Sequence, residues 1–280
     1  MKITVLIENK ADNKLSKEHG LAILIEYNNK NYLLDTGASD LFLGNADKLG
    51  VDLSKVTAAV LSHSHYDHSG GYAAFFSRNS KAKVYLRTAA KERCYAKIGL
   101  FKQYIGIPKG ILEQFTDRFI YVNNDNDYEM DEGVWLIPHK TEGCKTRDKK
   151  ARMYRKTENG MHVDDFQHEH SLVFDGTNGL VILNSCCHSG VQNIVAEVKE
   201  TFPGKEIAAV IGGFHLMGLT GTNSMSLKAD EVKALGQQLM RLGVKHIYTG
   251  HCTGYPAYRI LKETLGDRVQ YLSTGTIIEL

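Results

Sequence analysis

Six consecutive residues, His63-Ser64-His65-Tyr66-Asp67-His68, carry three imidazoles and a carboxylate. Histidines two residues apart can both turn toward one ion, and Asp67 with His68 can serve a second ion a few ångströms away. Imidazole nitrogen together with carboxylate oxygen suits zinc, and also manganese or iron, because these borderline ions accept both donor types. Two such ions ~3.5–4 Å apart acidify a shared water and clamp the oxygens of a displacement, so the chemistry implied is hydrolysis. Surface histidines grouped by chance account poorly for this density.

Such residues act only if the fold holds them still, and the surrounding pattern says how. The cluster follows an apolar strand expected over Val56–Leu61 and precedes a helix opened by Gly70-Gly71. Three further loops place metal-type residues after apolar strands: Asp35 after Asn31–Leu34, Cys186 to His188 after Leu180–Asn184, and His251 after Ile247-Tyr248-Thr249-Gly250. Ligands at the ends of sheet strands converge without a flexible loop having to find them. The first strands, Lys2–Ile7, Leu21–Tyr27 and Asn31–Asp35, read as a hairpin arrangement with Asn28-Asn29 as a turn. From Ser171 onward strands alternate with helices, among them one with Val191, Ile194, Val195, Val198 and Phe202 at helical spacing and one over Lys228–Leu242. Between about residues 87 and 170 the pattern loosens into mixed helices and short strands, read here as an insertion overhanging the site within a single domain over residues 1–280.

Composition narrows the classes. The net charge of +2 gives no reason to expect a nucleic-acid partner. No uncharged run is long enough to span a bilayer, and the N-terminal apolar stretch is broken by Glu8 and Lys10, so a cytoplasmic location without membrane contact is expected. The five cysteines, Cys94, Cys144, Cys186, Cys187 and Cys252, are odd in number and scattered, and are read as reduced. Lys140, Lys145, Arg147, Lys149, Lys150, Arg152, Arg155 and Lys156 form a basic segment, either a solvated loop or an attraction for a small anionic substrate.

The run HSHYDHSGG resembles the HxHxDH signature of the metallo-β-lactamase superfamily, and LLDTG around Asp35 resembles the aspartate motif that precedes it. The later motifs SCCHSG, GGFHL and GHCTG are similar to a subgroup found beside the ribofuranosylaminobenzene 5'-phosphate synthases of pterin biosynthesis, so the resemblance runs from Asp35 to Gly254. It implies an α/β protein (α+β in some schemes), a four-layer αββα sandwich with the site at one edge between two sheets. It further implies two divalent metal ions, zinc foremost with manganese or iron as alternatives. His63 and His65 would hold the first, and Asp67, His68 and His251 the second, while Asp35 steadies the cluster loop through hydrogen bonds. His188 is the candidate for the remaining ligand of the first metal, with His168 and His170 as rivals.

The chain departs from the wider pattern at Ser185-Cys186, where many superfamily hydrolases have an aspartate bridging the metals. Cys186 is therefore open between thiolate ligand, unliganded neighbour of the metals and packing residue. His215, after two glycines, is a candidate to contact a phosphate or protonate a leaving group. Tyr66 and Tyr255 are pocket candidates, and Cys187 and Cys252 read as packing residues. The expected function is a metallo-hydrolase in which an activated water, oriented by Asp67, attacks a phosphoester or related ester of a small molecule. The alternatives are a metal-containing metabolite-binding or regulatory protein with little turnover, and a di-iron oxidoreductase.

Overall fold

The computed structural model describes residues 1–12, 14–140, 152–218 and 221–280, which group into two compact units. The first comprises Met1–Asn126, Thr146–His170 and Thr274–Glu279. Its main sheet has seven strands in the order Ile277–Glu279, Lys2–Ile7, Ala22–Tyr27, Lys30–Leu34, Val56–Val60, Lys83–Arg87, Phe119–Val122. The antiparallel half begins with the expected hairpin. Asn28 and Asn29 both have positive φ, 47° and 61°, as a two-residue turn matching the strand twist requires.

From Lys30–Leu34 onward the neighbours run parallel, and helices fill the crossovers. Phe42 and Ala46 of the helix Leu41–Lys48 and Tyr72, Phe75 and Phe76 of the helix Tyr72–Arg78 bury against Leu24, Leu33, Val84 and Leu86 of the sheet. Parallel strands end at a common edge, so the loops carrying Asp35 and His63–His68 leave the sheet side by side.

Gly70 and Gly71 close the cluster loop onto the Asp35 loop. A Cβ on Gly70 would lie 2.0 Å from the Ala38 carbonyl oxygen, and one on Gly71 2.4 Å from that of Thr36. Both obstacles are backbone. Gly70→Ala is therefore expected to destabilise the protein by ~3 kcal/mol or more, the upper end of overpacking costs, with a matching drop in thermal midpoint. An unchanged melting curve would show that the loop yields.

The looser segment is where the sequence reading needs correction. A four-stranded antiparallel sheet, ordered Gly160–Val163, Met153–Thr157, Arg93–Ile98, Phe101–Tyr104, stands where mixed helices, short strands and a poorly patterned basic stretch were expected. These strands are short and largely exposed, and Arg93–Ile98 pairs with a partner far along the chain, so no local hydrophobic period marks them. Arg155 lies in this sheet and is ion-paired with Glu92 and Asp165, each at 2.7 Å. Of the other basic residues named above, Lys140 pairs with Asp127 at 2.9 Å, and Lys145, Arg147, Lys149 and Lys150 lie outside the described residues, as does Cys144.

The second unit comprises Asp127–Lys145, Ser171–Ser273 and Leu280. Its sheet orders seven strands as Val269–Tyr271, Val244–Thr249, Ile207–Gly212, Gly179–Leu183, His170–Gly176, Val134–Pro138, Tyr128–Asp131. Helices Val191–Thr201, Ala229–Arg241 and Tyr255–Leu265 lay Ile194, Val198, Val232, Leu239 and Leu261 against Ile182, Val210 and Ile247. Gly179–Leu183, Ile207–Gly212 and Val244–Thr249 are mutually parallel, so the loops after them gather at one edge. Among the described residues no helix is long and apolar enough to cross a membrane.

Candidate metal centre

In the first unit Asp35 is the hub. It is fully buried and has φ +60°, a left-handed conformation that aspartate tolerates better than most residues. Its Oδ1 accepts the Ser62 amide hydrogen at 2.7 Å, while Oδ2 accepts the Ser62 hydroxyl at 2.7 Å and His68 Nδ1 at 2.7 Å. Ser62 Oγ also lies 2.8 Å from His63 Nδ1. Because the one hydroxyl proton is committed to the carboxylate, His63 must donate to Ser62 through Nδ1–H. Both His63 and His68 therefore carry a proton on Nδ1, which leaves Nε2 as the nitrogen each can offer a metal, the arrangement that metal-binding histidines hold through a partner of this kind.

The imidazoles are grouped. The ring centroids of His63 and His65 are 4.6 Å apart and those of His63 and His68 4.3 Å, with all three side chains buried. Burial, followed by the charge of neighbouring histidines, holds His63 well below the usual imidazole range. Burial and then His168 bring His65 down to about 3. Both are thus neutral, as ligation demands. His68 is pushed the other way, up to about 10: burial opposes the charge, but Asp67 and Asp35 outweigh it. Carboxylates that favour a proton on a buried imidazole favour a cation there equally, so this donor set fits a divalent metal.

Asp67 Oδ2 lies 3.4 Å from both His68 Nε2 and His19 Nε2. His19 was missed by the sequence reading, since an isolated, partly exposed histidine before a glycine carries no signal. The backbone around the cluster is tied down by Ser69 Oγ to His65 O at 2.8 Å, Thr36 N to His68 O at 2.9 Å and Leu21 N to Asp67 O at 3.2 Å.

His168 Nδ1 accepts the Ser64 amide hydrogen at 3.2 Å, and its Nε2 lies 3.2 Å from Asp164 Oδ2 and 3.6 Å from Cys94 Sγ. Both ring nitrogens are engaged with protein, and His168, His65, Cys94 and Asp164 bring ligand-type atoms within 4.8 Å of one another. His170 is buried and donates its amide hydrogen to Ser62 O at 3.0 Å.

The second unit gathers Cys186, His188, His215, His251 and Cys252 at the ends of its three parallel strands. The rings of His188 and His215 are 4.3 Å apart, and Cys252 Sγ is 3.3 Å from Cys186 Sγ. Three non-glycine residues here have left-handed φ: Cys187 at 48°, His215 at 52° and His251 at 49°. Such strain concentrates where surrounding structure dictates a side chain's direction. The Thr253 hydroxyl accepts the Phe214 amide hydrogen at 2.9 Å and meets Thr249 Oγ1 at 2.5 Å, tying the His215 loop to the His251 loop. Burial opposes ionisation of Cys252, but hydrogen bonds with Cys186 and His215 and the neighbouring His251 outweigh it, and the thiol falls well below its ordinary range. Cys187 packs in the apolar core of this unit as expected, whereas Cys252 does more than pack.

A family model described as the metallo-beta-lactamase superfamily matches residues 16–147, the stretch holding Asp35 and the histidine cluster. Over this stretch the chain is similar to that superfamily, and it has the superfamily's fold. The chain is 27% identical over its whole length, and over 96% of the relative, to a 7,8-dihydropterin-6-methyl-4-(beta-D-ribofuranosyl)-aminobenzene-5'-phosphate synthase of Methanocaldococcus jannaschii. An uncharacterized protein of the same organism is 28% identical, with 99% of each chain covered. Among solved structures, Tm1679, a metal-dependent hydrolase of the beta-lactamase superfamily, superposes with a TM-score of 0.85 at 28% identity, over 100% of this chain and 99% of that one.

Proposed function

We propose that this protein is a metal-dependent hydrolase with a dinuclear site that cleaves a phosphoester or related ester of a small anionic molecule. The observation that carries this reading is the hydrogen-bond chain from His63 through Ser62 and Asp35 to His68, which engages Nδ1 of both imidazoles and leaves Nε2 as the nitrogen each offers a metal within a buried, carboxylate-flanked group. The proposed ligands in the first unit are His63, His65, Asp67 and His68, and the motif resemblance carries over His188 and His251 as the remaining ones. Zinc is the first candidate, since it accepts imidazole and carboxylate and needs no redox partner. When bound, two such ions acidify a water and draw charge from the ester oxygens. Asp67 orients that water, and His215 either contacts the phosphate or protonates the leaving group.

The test is metal content by elemental mass spectrometry on the full chain, paired with hydrolysis of bis(p-nitrophenyl) phosphate and p-nitrophenyl phosphate. About two metals per chain with turnover of either ester is expected, and the preference between them narrows the substrate. A metal-replete preparation that retains no transition metal overturns the proposal. The synthase name of one relative supports a second reading, in which a phosphorylated small molecule is joined rather than cleaved. Metal retention without hydrolysis of any ester is the result that would favour it.

A further inference from the structure

We propose that Cys186 and Cys252 form a redox-active dithiol that closes to a disulfide when the protein meets a hydroperoxide and reopens with a thiol reductant. The two residues end strands that are not neighbours: Ile207–Gly212 runs between Gly179–Leu183 and Val244–Thr249. Their loops meet over the end of that middle strand because Gly213 has no side chain. A Cβ there would stand 2.5 Å from Cys252 Sγ and 2.8 Å from Ser185 O. The resulting sulfur separation is 3.3 Å. That is shorter than the ~3.7 Å between two sulfurs each ~2.3 Å from one tetrahedral zinc. Reaching the ~2.05 Å of a disulfide needs a closure of about 1.2 Å, within reach of small side-chain rotations. Both thiols are buried, at 3% exposure each, which admits a hydroperoxide more readily than a bulky oxidant.

The third member is His215, whose ring nitrogen lies within 4.8 Å of both sulfurs. In the first step one sulfur of the pair attacks the terminal oxygen of the hydroperoxide and gives up its proton. The O–O bond breaks, the leaving oxygen takes up a proton as alcohol or water, and a sulfenic acid remains. The second thiol attacks that sulfur, the S–O bond breaks, and the hydroxide leaves as water with the second thiol's proton. Two electrons pass from the sulfurs to the peroxide. Where the ligand set proposed above holds, closure also ties together the loops bearing His188 and His251, because Cys186 precedes the first by two residues and Cys252 follows the second.

The experiment treats the metal-loaded full chain with hydrogen peroxide and maps disulfides by non-reducing peptide mass spectrometry. The peptide with Cys186 also holds Cys187, so Cys187→Ser is run beside the wild type. The expected result is a mass loss of about 2 Da, a fall in titratable thiols from five by the two that pair, and a Cys186–Cys252 link in both proteins that dithiothreitol reverses. Cys252→Ser, its fold checked by circular dichroism, should lack the link. A link through Cys187, over-oxidation without any link, or a link only in chelator-stripped protein overturns the proposal. Metal content of the untreated protein, measured separately, reports on the hydrolase reading alone.

Discussion

His65→Ala is expected to strip the protein of transition metal and to lower phosphodiester hydrolysis by at least ~100-fold. Losing only the hydrogen-bond partner of a metal ligand commonly costs ~10–100-fold in affinity or activity, and losing the ligand itself should exceed that. The substitution is a fair test because it keeps the backbone bonds of the loop at this position. His65 contributes its carbonyl to Ser69 Oγ and to the His68 amide, and alanine retains both bonds. Elemental mass spectrometry and initial rates should fall together while the circular dichroism spectrum stays that of the wild type. A variant that keeps its metal and its full rate would sink the ligand assignment.

The second large effect should come from a residue that need not touch metal. Asp35→Ala removes the acceptor of three buried donors, the Ser62 amide, the Ser62 hydroxyl and His68 Nδ1. Each donor left without a partner costs ~1–3 kcal/mol, so the sum is a large part of the ~5–15 kcal/mol that holds a domain folded. Asp35→Asn is the informative companion, since asparagine tolerates the φ of +60° at this position but offers one acceptor oxygen and no charge. It should fold, lose ~10–100-fold in metal affinity, and show this in chelator competition. If Asp35→Asn binds metal as the wild type does, then the hydrogen-bond chain does not set the imidazole tautomers, and the observation carrying the proposed function is lost.

Much of this was legible along the chain because it is local. The strand Val56–Val60 running into the cluster, the Asn28-Asn29 turn and the helices of the second unit follow from period, turn chemistry and capping residues within short windows. Asp35 as a support rather than a ligand came from motif resemblance, and the structure supplies its partners. The four-stranded sheet containing Arg93–Ile98 and Met153–Thr157 was not legible. Its strands are short and largely exposed, and the pairing that joins its two hairpins spans more than fifty residues, so no buried face marks the sheet.

The chemistry divides in the same way. Residue types and spacing alone determined that His63, His65, Asp67 and His68 form a metal-type group after a strand, because four donors in six residues leave little else for them to do. Only the tertiary structure decided which nitrogen of His63 and His68 is protonated, since that depends on a serine and an aspartate brought together from two parallel strands. It alone engaged both ring nitrogens of His168 with protein partners, and placed Cys252, read as a packing residue, against Cys186, left open between ligand, neighbour of the metals and packing residue. Tautomer, support and sulfur pairing are properties of contacts between distant segments, and a sequence states which groups are present but not which of them meet.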